Sequence, residues 1–534
     1  MTLSRRSLLS AAALAGLSAG AFTAADARPV KPTAKTPVTE RWGCHELTFT
    51  GPDTGNPFID VDIAADFTNG RSVVRVGGFY DGGGVYRIRF SPPDAGTWRW
   101  KTVSNAPALN DQTGAFDAAP PSRDNHGPVR VAHGYHFAYA DGTPYAPIGT
   151  TCYSWAQQSD ARCDQTLATL AASPFNKIRM CVFPNVAAEA IYPFERLGPG
   201  DRDWDWTRFN PAYFRRFEDR VARLLAIGVE ADIIIYQPYD AKRGFSDMTR
   251  AQDERYLRYL IARLSAYRNV WWSFANEFDL IKTKTTDDID HLFRLIQSED
   301  AHDRLRSIHN LKVLYDNRKP WITHSSVQNG SAVLDDRTAE TYRSVWEKPV
   351  VFDEVCYEGD IAARWGNLSG EQLLMRFWHG LIGGTYVGHS ETFTADKSGP
   401  DRSWLGQGGT LLGQSWRRIA FLKQIMAEGP DSGIDPIDKW WERHLGGKEG
   451  QYYLRYFGEE TPTQWPLSLP KNGLTGGEKF RADIIDTWNM TVTPVDGAFT
   501  LAKKDAYDFN DPARPVITLP GKPWMAVRLV RIAA

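Results

Sequence analysis

Two stretches decide the reading of this chain: Val270-Trp271-Trp272-Ser273-Phe274-Ala275-Asn276-Glu277 and Pro349-Val350-Val351-Phe352-Asp353-Glu354. Each is an apolar run that ends in a carboxylate, the pattern of a strand buried on both faces with a polar C-terminal end. Working outward, strand-like runs alternate with helical stretches from near residue 130, which points to a parallel sheet. Tyr145–Thr151, Lys177–Phe183 and Gly228–Tyr236 read as strands one to three, and Val270–Glu277 as the fourth. Pro320–His324 reads as the fifth, Pro349–Glu354 as the seventh and Gly383–His389 as the eighth; the sixth is weak, around Ser331–Asp335. Helical periodicity lies between them at Tyr213–Ile227, Ala251–Ala266 and Gly370–Leu381. Eight such units predict a (β/α)8 TIM barrel over 128–437, which presents functional residues at the C-terminal ends of its strands. Glu277 and Glu354 are 77 residues apart, two to three units of ~30 residues each, as strands four and seven require.

The flanks have a different texture. Residues 38–122 are short alternating β runs between turn signals such as Asn56-Pro57, Asn69-Gly70 and Asp81-Gly82-Gly83-Gly84, which predicts an immunoglobulin-like β-sandwich. Residues 438–534 return to β texture and predict a small C-terminal β-domain. At the N-terminus, Ser4-Arg5-Arg6-Ser7-Leu8-Leu9 is a twin-arginine pattern, followed by a small apolar run and Ala25-Asp26-Ala27. Residues 1–27 thus read as a signal peptide of twin-arginine type, with a Sec signal or a retained anchor as the alternatives, the mature chain starting at Arg28 and a periplasmic or secreted destination. The apolar run is too short to span a membrane, so no membrane association is expected after cleavage.

The 534 residues carry a net charge of −2 and no long run of either sign, which argues against a nucleic-acid partner. The aromatic content, 19 Trp and 21 Tyr, suits either a large core or the faces of sugar rings. Five scattered cysteines make neither a disulfide framework nor a C-x-x-C pair, and no H-E-x-x-H occurs, so no metal and no cofactor are expected. Oligomeric state has no signature in the sequence.

Two glutamates at a barrel mouth suit glycosidic bond cleavage, in which one protonates the leaving oxygen and the other attacks or activates water. Glu277, held neutral by burial, would be the acid, with Asn276 donating to a sugar hydroxyl. The competing reading is a glutamate that caps a helix N-terminus. Glu354 would be the nucleophile; Asp353 points the other way along the strand and has a structural role. Glu358 rivals Glu354 as nucleophile, and is otherwise a substrate ligand. A carboxyl separation of ~5 Å would mean retention of configuration, and roughly 6.5–9.5 Å inversion. Further pocket candidates are Tyr153 and Trp155 after strand one, Asn185 after strand two, and Gln237, Tyr239 and Asp240 after strand three. Tyr236, His324 and, in the loop after strand eight, Trp404 complete them; each reads equally as a core plug.

The stretches Ser273–Glu277, Pro349–Glu354, Tyr357-Glu358-Gly359, Gly388-His389-Ser390-Glu391-Thr392, Arg376-Phe377-Trp378 and Gly406-Gln407-Gly408-Gly409 carry a family resemblance. Over roughly residues 40–430 the chain resembles the clan A glycoside hydrolases, and among them the apiosidase-like barrels with an N-terminal sandwich. That resemblance implies a retaining double displacement, with Glu277 as acid/base and Glu354 as nucleophile. It also implies sugar-binding positions at His389 and Glu391, which read equally as a structural pair. The chain departs from the family after strand five, at Thr323-His324-Ser325-Ser326, so the sugar itself does not transfer. The expected partner is a carbohydrate, in a polysaccharide or oligosaccharide. The alternatives are a non-catalytic carbohydrate-binding protein on a degenerate barrel and a polysaccharide lyase, for which no Tyr or Lys base cluster stands out.

Overall fold

The computed structural model describes residues 36–184, 191–328, 334–394, 403–437 and 444–533. The expected signal peptide and Asn185 lie outside the described residues.

The centre is a nearly closed barrel of eight parallel strands. In chain order they are Gly149–Thr151, Lys177–Cys181, Glu230–Tyr236, Val270–Ala275, Arg306–Ser307, Ser325–Gln328, Val350–Glu354 and Tyr386–His389. Every residue of the second, third, fourth and seventh strands is buried, which is why they read as apolar runs rather than as alternation. Helices pack outside them, their starts fixed by sequence. Asn210 caps Pro211–Ala226, with Pro211 in the first turn where its missing N–H costs nothing. Thr249 with Gln252 and Ser369 with Gln372 form capping boxes at Arg250–Leu264 and Gly370–Ile382.

Two strands differ from the sequence reading. The fifth is Arg306–Ser307, two residues that carry no periodic signal. Pro320–His324, expected to be the fifth, is instead the approach to the sixth, Ser325–Gln328, which precedes the expected 331–335. The ladder is interrupted between these two strands. Hydrogen bonds bridge the gap: Thr323 N donates to Arg306 O (2.9 Å), and Gln328 N donates to Asn310 Oδ1 (3.2 Å).

The barrel interior is charged. Lys177 Nζ, fully buried, lies 2.5 Å from Asp232 Oδ2 and 2.8 Å from Asp353 Oδ1. One end is plugged by the antiparallel strands Val129–Ala132, His136–Tyr139 and Pro144–Tyr145, whose Val129, Phe137 and Tyr145 pack on Trp271, Val351 and Tyr386.

N-terminal to the barrel, seven strands from Val38–Glu40 to Thr113–Ala119 form a sheet that folds over itself. Strand Val73–Tyr80 serves both halves, pairing with Ile63–Thr68 and then with Val85–Phe90. Gly78 stands at the switch, where a Cβ would meet Ile88 Cγ1 at 2.7 Å and Arg87 O at 2.8 Å. Phe67 of one half stacks on Phe90 of the other at 4.3 Å. A buried ion network docks this region on the barrel helices: Arg263 pairs with Asp81 (2.9 Å) and with Glu218, which also takes Arg89 (2.9 Å). C-terminal to the barrel, a six-stranded sheet from Asp435–Pro436 to Met525–Ile532 has its own core around Tyr453, Phe480, Phe499 and Leu529.

The five cysteines are free, and Cys152, Cys163, Cys181 and Cys356 are buried. Among the described residues, no helix is long and apolar enough to cross a membrane.

Candidate active site

The fourth and seventh strands deliver Glu277 and Glu354 to the same place. Gln328, the last residue of the sixth strand, uses one nitrogen for both: Nε2 donates to Glu277 Oε1 (3.1 Å) and to Glu354 Oε2 (2.7 Å). Those two oxygens are therefore no farther apart than the two bonds laid end to end, under about 6 Å. Two carboxylates flanking the amide require its nitrogen, not its oxygen, to face them.

Their surroundings are opposite in kind. Glu354 Oε1 accepts from the Tyr153 hydroxyl and from Arg179 Nη1 (2.9 Å), and His309 Nε2 stands 3.4 Å away. Burial alone would raise this carboxyl, but the fields of His309 and Arg179 and the Tyr153 hydrogen bond outweigh it and hold Glu354 far below the usual carboxylate range. Among the described residues no cation is in hydrogen-bond contact with Glu277; Tyr239 and Gln328 donate to it. Burial, followed by the charge of Glu354, pushes its carboxyl above the ordinary value. Glu277 also sits at φ 44°, a left-handed conformation that costs a non-glycine residue about 1–3 kcal/mol and collects at functional sites.

A second layer fixes these groups. Arg179 extends Nη2 to Asn276 Oδ1 (2.8 Å), which orients that amide and leaves its buried Nδ2 without a partner among the described residues. His309 Nδ1 lies 3.0 Å from Ser326 Oγ, whose hydroxyl donates to Asp353 Oδ2 (2.6 Å). The serine hydrogen is thereby committed, so Nδ1 of His309 is the donor to it and Nε2 faces Glu354. Asp353, tied to Lys177 and Ser326, belongs to the barrel interior, in keeping with a structural role.

Tyr153, Tyr239 and Asn276 thus stand with the two glutamates. Gln237 is buried at the end of the third strand, where its side chain accepts from Tyr239 N (2.7 Å) and shapes the turn that presents Tyr239. Asp240 accepts from Ser246 N (3.0 Å) in the same loop, and burial raises its carboxyl to about 7. Tyr236 is buried against Phe274.

Other candidates are placed elsewhere. Glu358 accepts from Gln414 N (2.7 Å) and Ser415 N (2.9 Å), and Glu391 from Leu412 N (2.7 Å) and Gly413 N. Both carboxylates thus hold the chain entering helix Ser415–Ala427, and Glu358 spends its oxygens on Gln414 and Ser415 rather than on the Glu277–Glu354 group. Burial pushes Glu391 up to about 8. His389 is buried and stacked on Phe175 at 4.5 Å, with Nδ1 3.1 Å from Thr150 Oγ1; burial lowers it to about 3. Trp404 is buried and donates Nε1 to Thr150 Oγ1 (2.8 Å). Trp155 is fully buried against Met180. His324 precedes the sixth strand and packs on Trp271 and Phe137 in the plugged end, opposite to the strand ends that carry the glutamates.

Sequence reading missed Arg179, His309 and Gln328. Lys177 and Arg179, two residues apart on a strand buried throughout, were the available signal, since two cations on one buried face need carboxylates opposite. His309 follows the fifth strand and Gln328 ends the sixth, the two strands that were misplaced.

Comparison with known families places a model described as "Apiosidase-like, catalytic domain" on residues 132–393. Two families described only as domains of unknown function, DUF5060 and DUF5605, match 38–105 and 441–530. Among solved structures, a protein of Bacteroides vulgatus ATCC 8482 assigned as a glycoside hydrolase is 38% identical, with TM-score 0.89 over 93% of this chain and 100% of that one. A family 5 glycoside hydrolase from the same organism is 16% identical, with TM-score 0.57 over 76% of this chain and 93% of that one. At that identity the likeness is one of fold. The comparison with curated proteins gave no match.

Proposed function

The chain belongs to the apiosidase-like glycoside hydrolases, and from that premise we propose that it cleaves its substrate by a retaining double displacement, with Glu354 as nucleophile and Glu277 as acid/base. One observation carries this reading: a single amide nitrogen touches both carboxyls, while their environments push the two in opposite directions, Glu277 above and Glu354 below the ordinary glutamate value. The separation under about 6 Å falls short of the roughly 6.5–9.5 Å that an inverting enzyme needs to admit water between its carboxyls. Two titratable groups pushed apart in this way take complementary roles.

In the first step the ionised Glu354 attacks the anomeric carbon as Glu277 gives its proton to the leaving oxygen. Loss of that proton leaves Glu277 ionised while Glu354 becomes a neutral ester, so the repulsion that raised Glu277 disappears. Glu277 then takes a proton from water, whose oxygen attacks the anomeric carbon and frees Glu354. Arg179, His309 and Tyr153 keep the nucleophile ionised and aimed, and the unpartnered Nδ2 of Asn276 is available to a sugar hydroxyl beside the reacting carbon.

The substrate we infer is a polysaccharide or its oligosaccharides, met outside the cytoplasm after export through the twin-arginine signal. Edman sequencing of the exported protein should begin at Arg28. Hydrolysis of a glycan panel by wild type, with none by Glu277→Gln or Glu354→Gln of unchanged circular dichroism, is the expected result. Full activity in both variants overturns the assignment. Glycan binding by wild type without hydrolysis of any panel member would favour a binding protein instead.

A further inference from the structure

Away from the two glutamates, three side chains from three separate elements converge. Asp336 is the first residue of helix Asp336–Trp346, His379 lies on helix Gly370–Ile382, and His444 immediately precedes strand Leu445–Lys448 of the C-terminal sheet. One donor atom from each falls in a group whose members all lie within 4.8 Å of one another. Asp336 and His379 are buried, and His444 is partly so.

The hydrogen bonding within this group is incomplete. Asp336 Oδ1 is bonded to His444 Nδ1, but His379 Nδ1 is 3.7 Å from the same oxygen, beyond a hydrogen bond. His379 is 6% exposed, and its Nδ1 has no hydrogen-bond partner among the described residues. A buried nitrogen left unpaired is costly and calls for an explanation, of which an ion is one. Both histidines line a cavity of about 330 Å³ that Glu460 also borders, so space for further ligands adjoins the donors.

We propose that Asp336, His379 and His444 bind one divalent transition-metal ion. Two imidazoles and a carboxylate suit zinc or a neighbouring first-row ion, whereas calcium and magnesium favour all-oxygen shells. The remaining coordination positions face the cavity and take water. Binding replaces the proton shared between Asp336 and His444 with the metal, and gives His379 Nδ1 its partner. The ion ties two barrel helices to the start of the C-terminal sheet. No residue of the triad bonds to Glu277 or Glu354, so the site is a clamp rather than part of the hydrolytic machinery.

The test is calorimetric titration of ZnCl2 into the full, tag-free chain after chelator treatment, with Co2+ absorption as a second readout. One bound ion per chain, cobalt bands of low coordination number, and a higher thermal midpoint with metal are expected. His379→Gln, checked for folding by circular dichroism, should lose affinity by more than the ~10- to 100-fold that removal of an outer hydrogen-bond partner costs. Its hydrolytic rate should match wild type. Absence of zinc binding by wild type at sub-millimolar metal overturns the proposal, as does binding that survives in His379→Gln/His444→Gln.

Discussion

Gln328→Glu is the most informative single change, because it exchanges one heavy atom, the amide nitrogen, at the point where both carboxyls meet. The native amide nitrogen serves Glu277 at 3.1 Å and Glu354 at 2.7 Å. An ionised carboxylate there would face two carboxyls at ~3 Å, where like charges repel by roughly 5 kcal/mol per pair even at an effective dielectric of 20. The new group therefore takes up a proton at neutral pH, and its single O–H replaces one of the two bonds. A hydrogen bond to a charged group contributes about 1.5–3 kcal/mol. At 1.36 kcal/mol per decade, its loss from the reacting arrangement lowers kcat/KM by roughly 10- to 150-fold. Because the new carboxyl must stay protonated to donate at all, the loss deepens as pH rises. The assay is kcat/KM against pH on any aryl glycoside that wild type hydrolyses, with circular dichroism to verify folding. A variant with wild-type kcat/KM across the neutral range and an unmoved pH optimum would refute the bridging role of Gln328.

Other outcomes follow from the same geometry. Hydrolysis needs Glu277 protonated and Glu354 ionised, so kcat/KM should fall at high pH through a point above the usual glutamate range and, on the acid side, only well below it. Tyr239→Phe removes a hydrogen bond that lowers Glu277, so the alkaline limb in the pH profile should move further up. Lys177→Met leaves Asp232 buried without its cation and Asp353 with only Arg179 at 4.0 Å; urea unfolding should show a loss of about 3–5 kcal/mol, with part recovered in Lys177→Met/Asp232→Asn. Glu218→Gln should destabilise the sandwich–barrel junction, and a double-mutant cycle with Arg263→Met should return coupling well above the ~0.5 kcal/mol seen for independent sites.

The barrel and both flanking β-rich regions were legible in the sequence because long buried strands and capped helices leave strong local patterns. Strands three, four and seven are continuous apolar runs, and the capping boxes mark helix starts within a residue or two. Strands five and six were not legible for a physical reason. Arg306–Ser307 is two residues long, and its contact with strand six runs through side chains such as His309 and Asn310 rather than through a backbone ladder. Periodicity cannot register such a strand, and the apolar Pro320–His324 took its place.

The consequences for the site trace to that slip. Glu354 ends one well-marked strand and Glu277 follows another, which made both legible as candidates. His309 follows one poorly marked strand and Gln328 ends another, and both were missed, while His324 was moved from the plugged end of the barrel to its mouth. The aromatic candidates divided along a line the sequence does not draw. Tyr153 and Tyr239 reach the glutamates with their hydroxyls, whereas Trp155 and Trp404 are buried in packing against the first and second strands. Loop residues near a barrel mouth share composition whichever way they face, so only the structure separates them.

The central claim, a double displacement through Glu354, is tested most directly by the anomeric configuration of the first-formed product, followed by proton NMR from the onset of hydrolysis. The account predicts that the sugar is released with the configuration it had in the substrate and mutarotates afterwards. Release of the opposite anomer would contradict it, and would mean that water rather than Glu354 attacks the anomeric carbon.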